Sequence, residues 1–214
     1  MDLIDFHLKH PFVKSVVGPT GSGKSYYIID LIRNRRSIID IPIEKVVYVY
    51  YDFQPMFYEL QLEDPNIIFT NRLEDIETLV SDPCLLIIDD QMDTISKGWA
   101  NDLVTRLFIK SSHHKGVSTI VVLQNAFEKS LRTVNVNSQY LVMFDQARDR
   151  SVITNLGKQI CPGHVKFLQE SYQKAVESRE FGYLFMDFHP KNKRYKYWLR
   201  SNLYPTEDCE IYSS

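Results

Sequence analysis

Residues 18–25 read GPTGSGKS, one lysine enclosed by three glycines, a proline, a threonine and two serines. The stretch satisfies G-x-x-x-x-G-K-(S/T) in full, through Gly18, Gly23, Lys24 and Ser25. Glycines at that spacing let consecutive backbone N–H groups turn inward and form an anion-binding nest. Pro19, Thr20, Gly21 and Ser22 supply the rest of the loop. A helix beginning at the loop aims its positive end at the same point. In such a cradle Lys24 reaches the β- and γ-phosphates of a nucleoside triphosphate, and the Ser25 hydroxyl ligates Mg²⁺.

A second chemical group is the pair Asp89-Asp90, which follows four apolar residues in CLLIIDD (84–90). Two adjacent carboxylates at a strand end are costly to bury without partners. Beside a metal and a triphosphate they have separate jobs: Asp89 holds Mg²⁺, directly or through water, and Asp90 orients or deprotonates the attacking water. Side chains alternate along a strand, so the two carboxylates are not expected to point the same way. The plain alternative is a turn or a helix cap after the strand. Gln124 ends the next apolar strand, STIVVLQN (118–125), and could touch the γ-phosphate or the water; a surface amide is the alternative.

The elements that must position these groups are readable from periodicity. FVKSVV (12–17), KVVYVYY (45–51), NIIFT (66–70), CLLIIDD, STIVVLQN and SQYLVMF (138–144) read as strands. Helical spacing appears in 26–36, 72–80, 99–114, 150–160 and 164–178, with a short helix after DFQP (52–55). Asp82-Pro83 ends the segment over 72–80. FGYLFMDF (181–188) and RYKYWLR (194–200) alternate like a terminal hairpin with PKNK as its turn. Strands alternating with amphipathic helices predict an α/β fold: a mostly parallel central sheet covered on both faces, in one domain over 1–214. Ligands bind such sheets at the carboxyl ends of their strands.

Composition narrows the classes further. A chain of 214 residues with 44% hydrophobic and 24% charged content is that of a globular protein with a sizeable core. No apolar run approaches the roughly 20 residues of a membrane span, so no membrane partner is expected. The N-terminus carries Asp2 and Asp5 and lacks a basic region followed by an apolar one. Cys84, Cys161 and Cys209 are odd in number and widely spaced, which favours reduced thiols and an intracellular setting. The net charge of −2 does not advertise nucleic-acid binding, so any DNA contact must come from local patches or from an assembly.

Several longer stretches carry a resemblance. HPF (10–12), YYDFQPMF, LLIIDDQM, LFIKSSHHKG, VVLQNAF, NVNSQYLVMF, ARDRS, FGYLFMDF and LRSNLYP together resemble the genome-packaging ATPases of the FtsK–HerA superfamily. The branch is the poxvirus-like one of double-stranded DNA viruses and Polinton-type elements, and the similarity runs over nearly the whole chain. It implies a P-loop NTPase of the additional-strand class, in which the strand ending at Gln124 lies between the loop strand and the acid strand. It implies an ATP- and Mg²⁺-dependent motor that moves double-stranded DNA into a capsid. The expected partners are viral capsid vertex proteins and further copies of the chain in a ring of five or six. The expected location is inside the host cell, in the nucleus or a cytoplasmic assembly site, or with the virion.

In such rings an arginine of the neighbouring subunit completes each site, a contribution of about 10³–10⁵ in rate. Family members commonly carry arginine where this chain has Lys110, and a lysine cannot fork onto two phosphate oxygens. Arg148 and Arg150 in QARDRS are therefore the better candidates, with Arg132 and Arg106 behind them; each could equally be a solvated surface residue.

Three weaker signals remain. KNKRYKYWLR (191–200) mixes basic and aromatic residues, which suits a phosphate backbone or merely a solvated hairpin face. His113 and His114 lack a third ligand for a metal. Gln54 resembles a family position near the nucleotide but also suits a turn before Pro55. Two other functions share the loop. A nucleoside or nucleotide kinase fits the size, but no arginine-rich lid is evident. A GTPase-type switch needs N-K-x-D, whereas Asn192-Lys193 is followed by Arg194 and Tyr195.

Overall fold

The computed structural model describes residues 5–91, 116–124, 137–190, 198–201, 203 and 210–213. Among them nine strands form a single sheet: β1 (Val13–Val17), β2 (Lys45–Val49), β3 (Ile67–Thr70), β4 (Cys84–Asp89), β5 (Val117–Leu123), β6 (Tyr140–Phe144), β7 (Tyr183–Asp187), β8 (Leu199–Arg200) and β9 (Ile211–Tyr212). Their order is β3-β2-β4-β5-β1-β6-β7-β8-β9. The strands from β3 to β6 run parallel, and β7, β8 and β9 are added antiparallel. β5 is inserted between the loop strand β1 and the acid strand β4, the arrangement expected of the additional-strand class.

Helices connect the strands and cover both faces. They are α1 (Lys24–Ile38), α2 (Pro55–Glu63), α3 (Ile76–Leu79), α4 (Ser151–Ile160) and α5 (Val165–Glu177). Strand alternation divides the core in two. Leu85 and Ile87 of β4, Ile120 and Val122 of β5 and Val142 and Phe144 of β6 pack with Ile28, Leu31 and Ile32 of α1 and Phe57 and Leu60 of α2. On the other face Leu86, Ile88, Val121, Leu123 and Met143 pack with Ile76 of α3, Val152 and Ile153 of α4, and Leu168 and Tyr172 of α5. Every residue of β1, β4, β5 and β6 is buried, because a parallel sheet covered on both sides leaves neither face for water.

One expected element comes out shorter. The helical spacing over 72–80 yields a 3₁₀ turn at Leu73–Asp75 and a single turn at α3. Only Leu73 and Ile76 of it are buried, so little packing sustains a longer helix. The terminal hairpin is present as β7 and β8, with the register pairs Phe185–Arg200 and Met186–Leu199 among the described residues. The expected helix over 99–114 lies outside the described residues, as do Arg106, Lys110, His113, His114, Arg132, Cys209 and the basic residues of 191–197. Cys84 and Cys161 are free thiols.

Lys14, Arg35 and Arg200 are basic residues buried among the core. Lys14 of β1 is fully buried; its ammonium donates to the Tyr27 hydroxyl and lies 4.8 Å from the Tyr27 ring centroid. Burial, reinforced by the nearby Arg200 charge, pushes its pKa well below the ordinary lysine value. That tie joins the loop strand to the helix that follows the loop.

Candidate active site

Register brings the chemical groups to one edge. Val17 pairs with Leu123 and Asp89 with Val122, while Val17 also pairs with Met143. Residues 18, 90, 124 and 145 therefore all emerge at the carboxyl ends of four adjacent parallel strands. The Gly18 N–H still bonds the Leu123 carbonyl at 3.1 Å, and the chain then leaves the sheet.

The loop has the backbone its glycines are needed for. Gly21 and Gly23 have φ of +80° and +99°, a region costly for residues with a Cβ. Gly18 is needed for space: a Cβ there would lie 2.5 Å from Ser22 Oγ and 2.8 Å from Phe144 Cβ. Gly23 is the N-cap of the 15-residue α1, whose first turn contains no acidic residue to oppose an anion. Ser22 Oγ is buried beside Gly18 with no hydrogen-bond partner among the described residues. Lys24 Nζ donates to the carbonyls of Gly18 at 2.6 Å and Pro19 at 2.8 Å, so its charge is folded back over the loop. Burial lowers the Lys24 pKa, and the nearby carboxylates of Asp89 and Asp90 oppose that shift.

The two acids do take different directions. Asp89 continues the alternation of Leu85 and Ile87 and faces α1; it is 9% exposed, and its Oδ2 accepts a 2.6 Å hydrogen bond from the Tyr48 hydroxyl. Burial raises the Asp89 pKa; the Tyr48 bond lowers it, the Asp90 charge raises it and the Lys24 charge lowers it. Asp90 is exposed and adopts a left-handed φ of +51°, which takes it out of the strand. Its carboxylate accepts from Gln124 Nε2 at 3.0 Å on both oxygens. Gln124 is thus tied to Asp90 directly, a pairing that sequence alone does not give.

Arg148 and Arg150 lie on the connection after β6, at the same edge, and both are exposed with no ion-pair partner among the described residues. Asp149 between them accepts hydrogen bonds from the Ser151 N–H and hydroxyl, which fixes the start of α4. Gln54 precedes Pro55 at the first turn of α2, and its carbonyl accepts the Phe57 N–H; it serves the turn. Tyr48 is the contributor the sequence reading missed. Its signal lay in the tyrosines of VYVYY, whose alternation puts Tyr48 on the α1 face.

The cradle suits a triphosphate: left-handed glycines, a helix N-terminus without opposing acids and a lysine within the field of two carboxylates. Among the described residues no three His, Cys, Asp or Glu cluster to hold a metal unaided. Magnesium bound with phosphate oxygens needs only one or two protein carboxylates.

Comparisons with solved structures agree on the fold. B204, the DNA-packaging ATPase of Sulfolobus turreted icosahedral virus, superposes with a TM-score of 0.56 at 14% identity, over 95% of this chain and 98% of that one. The genome packaging NTPase B204 of Sulfolobus turreted icosahedral virus 2, in complex with AMPPCP, gives 0.57 at 14% identity, over 95% and 97%. The cytoplasmic domain of the Thermomonospora curvata Type VII secretion ATPase EccC gives 0.55 at 12% identity, over 94% of this chain but 25% of that one. No protein-family model and no curated protein sequence matches the chain. The fold is that of a P-loop NTPase, and its structural neighbours include a genome-packaging NTPase and a secretion ATPase.

Proposed function

We propose that the chain is an ATP-hydrolysing motor that drives double-stranded DNA into a viral capsid. The observation that carries the hydrolytic part is the convergence of Lys24, Asp89 and the Asp90–Gln124 pair at one sheet edge. Lys24 exchanges its loop carbonyls for the β- and γ-phosphate oxygens of ATP, while the amides of residues 18–25 hold the chain of phosphates. Ser25 and Asp89 would hold Mg²⁺, which would neutralise charge developing on the phosphates. Asp90, fixed by Gln124, orients water in line with the γ-phosphorus and takes its proton. The water oxygen bonds to phosphorus as the bond to the β–γ bridging oxygen breaks, giving ADP and phosphate.

Arg148 and Arg150 act across a subunit boundary in this reading, each exposed at the same edge of the sheet. The full-length structural likeness to B204 supports the packaging role, and the absence of any membrane-length apolar helix among the described residues is compatible with it. The deciding experiment is phosphate release from ATP with and without double-stranded DNA. Strong stimulation supports the motor. Indifference to DNA, together with phosphoryl transfer to a nucleoside or nucleotide, would replace it with a kinase.

A further inference from the structure

We infer that Tyr26 and Phe181 form the platform on which the base of the bound nucleotide stacks, an inference that rests on residues 18–25 being the triphosphate cradle. Tyr26 lies in the first turn of α1, two residues after Lys24, and Phe181 lies just before β7. Their rings stack with centroids 6.0 Å apart and planes 25° apart. Both remain exposed, at 62% and 45%. Two large aromatics in contact with each other and with water, beside a phosphate loop, offer a π-surface of the type bases use.

Phe181 is held there at a cost. Its φ of +56° is an outlier for a bulky residue. The turn is locked behind it: Gly182 donates to the Arg179 carbonyl, and a Cβ on Gly182 would lie 2.5 Å from the Ala175 carbonyl oxygen. In front, Phe181 is pressed onto the loop, since a Cβ on Gly23 would lie 2.6 Å from Phe181 Cβ. Backbone strain that delivers an aromatic ring to an exposed position points to a ligand contact, because core packing would have buried it.

Sheet order supplies the direction. Asp89, Asp90 and Gln124 end β4 and β5, on one side of β1. Phe144 at the end of β6 pairs with Tyr183 at the start of antiparallel β7, so Phe181 lies at this same edge on the other side of β1. A triphosphate whose γ end meets the acids must leave the cradle, at its α end, toward Tyr26 and Phe181. The two rings already touch as an offset pair, so the base adds to the outer face of the stack and does not enter between them. Stacking tolerates any base, and a purine, with the larger face, gains more than a pyrimidine.

The test is calorimetric binding of Mg-AMPPCP and of Mg-tripolyphosphate, which has the phosphates but no base. Tyr26→Ala keeps a good helix former at an exposed position, and Phe181→Gly relieves the strained backbone. Both variants should lose about 5- to 150-fold in AMPPCP affinity and keep tripolyphosphate affinity within about twofold, and Tyr26→Phe should restore AMPPCP binding. Unchanged AMPPCP affinity in the alanine and glycine variants, or an equal loss of both ligands, would overturn the platform. Wild-type protein that binds neither ligand would overturn the cradle itself, and the platform with it.

Discussion

The Tyr48 hydroxyl donates to Asp89 Oδ2 at 2.6 Å, so the buried acid of the site is held by a residue of the neighbouring strand β2. This bond opposes the burial that raises the Asp89 pKa. Tyr48→Phe should therefore raise it further. The acid limb of kcat/KM, which reports the free enzyme, should move to higher pH, and the fold should lose about 1.5–3 kcal/mol near neutral pH. A pH–rate profile and urea unfolding of the variant check both effects.

Asp89 itself should weaken the nucleotide-free fold. Its folded pKa lies above the ordinary value of 3.8, so between the two values the folded state binds more protons than the unfolded one. Stability then falls as pH rises through that interval and stays lower above it. Asp89→Asn should raise Tm at pH 7, with the gain shrinking as pH falls toward and below 3.8, while magnesium-dependent hydrolysis is lost. Thermal unfolding across pH, paired with phosphate release, measures the trade.

Gly23→Ala tests the loop backbone. At φ +99° and with Phe181 in the way, the added methyl should cost about 1–3 kcal/mol and weaken ATP binding at least tenfold. Gly163, where a Cβ would meet nothing within 4 Å, provides the control: Gly163→Ala should leave ATP affinity unchanged.

Mixing addresses the arginines. Lys24→Ala and Arg148→Ala should each be inactive alone, yet mixed assemblies should regain part of the hydrolysis where an intact Lys24 meets a neighbour's intact Arg148. The readout is phosphate release against mixing ratio. Absence of recovery at every ratio, with assembly intact, transfers the role to Arg150.

The loop, the acid pair and the alternation of strands with helices could be read directly because each is a local pattern, whereas the place of β5 between β1 and β4 was implied only by the family resemblance. The relations that arm the site are of another kind. Tyr48 reaches Asp89 across 41 positions and Gln124 reaches Asp90 across 34, and only strand register decides such meetings. The left-handed turn at Asp90 departs from simple alternation and directs its carboxylate to Gln124, and nothing in LLIIDDQM specifies it. Phe181 looked like the first residue of a strand; it is a strained turn pressed against Gly23. The helix expected over 72–80 failed for the opposite reason, since its spacing was right but the fold gives it little surface to bury.

The central claim is that Asp90, set beside Lys24 and fixed by Gln124, activates the water that cleaves the γ-phosphate. Single-turnover phosphate release by Asp90→Asn, with ATP binding measured in parallel, tests it most directly. Retained binding with release slowed by about 10²-fold or more is the predicted result. Release at the wild-type rate would contradict it.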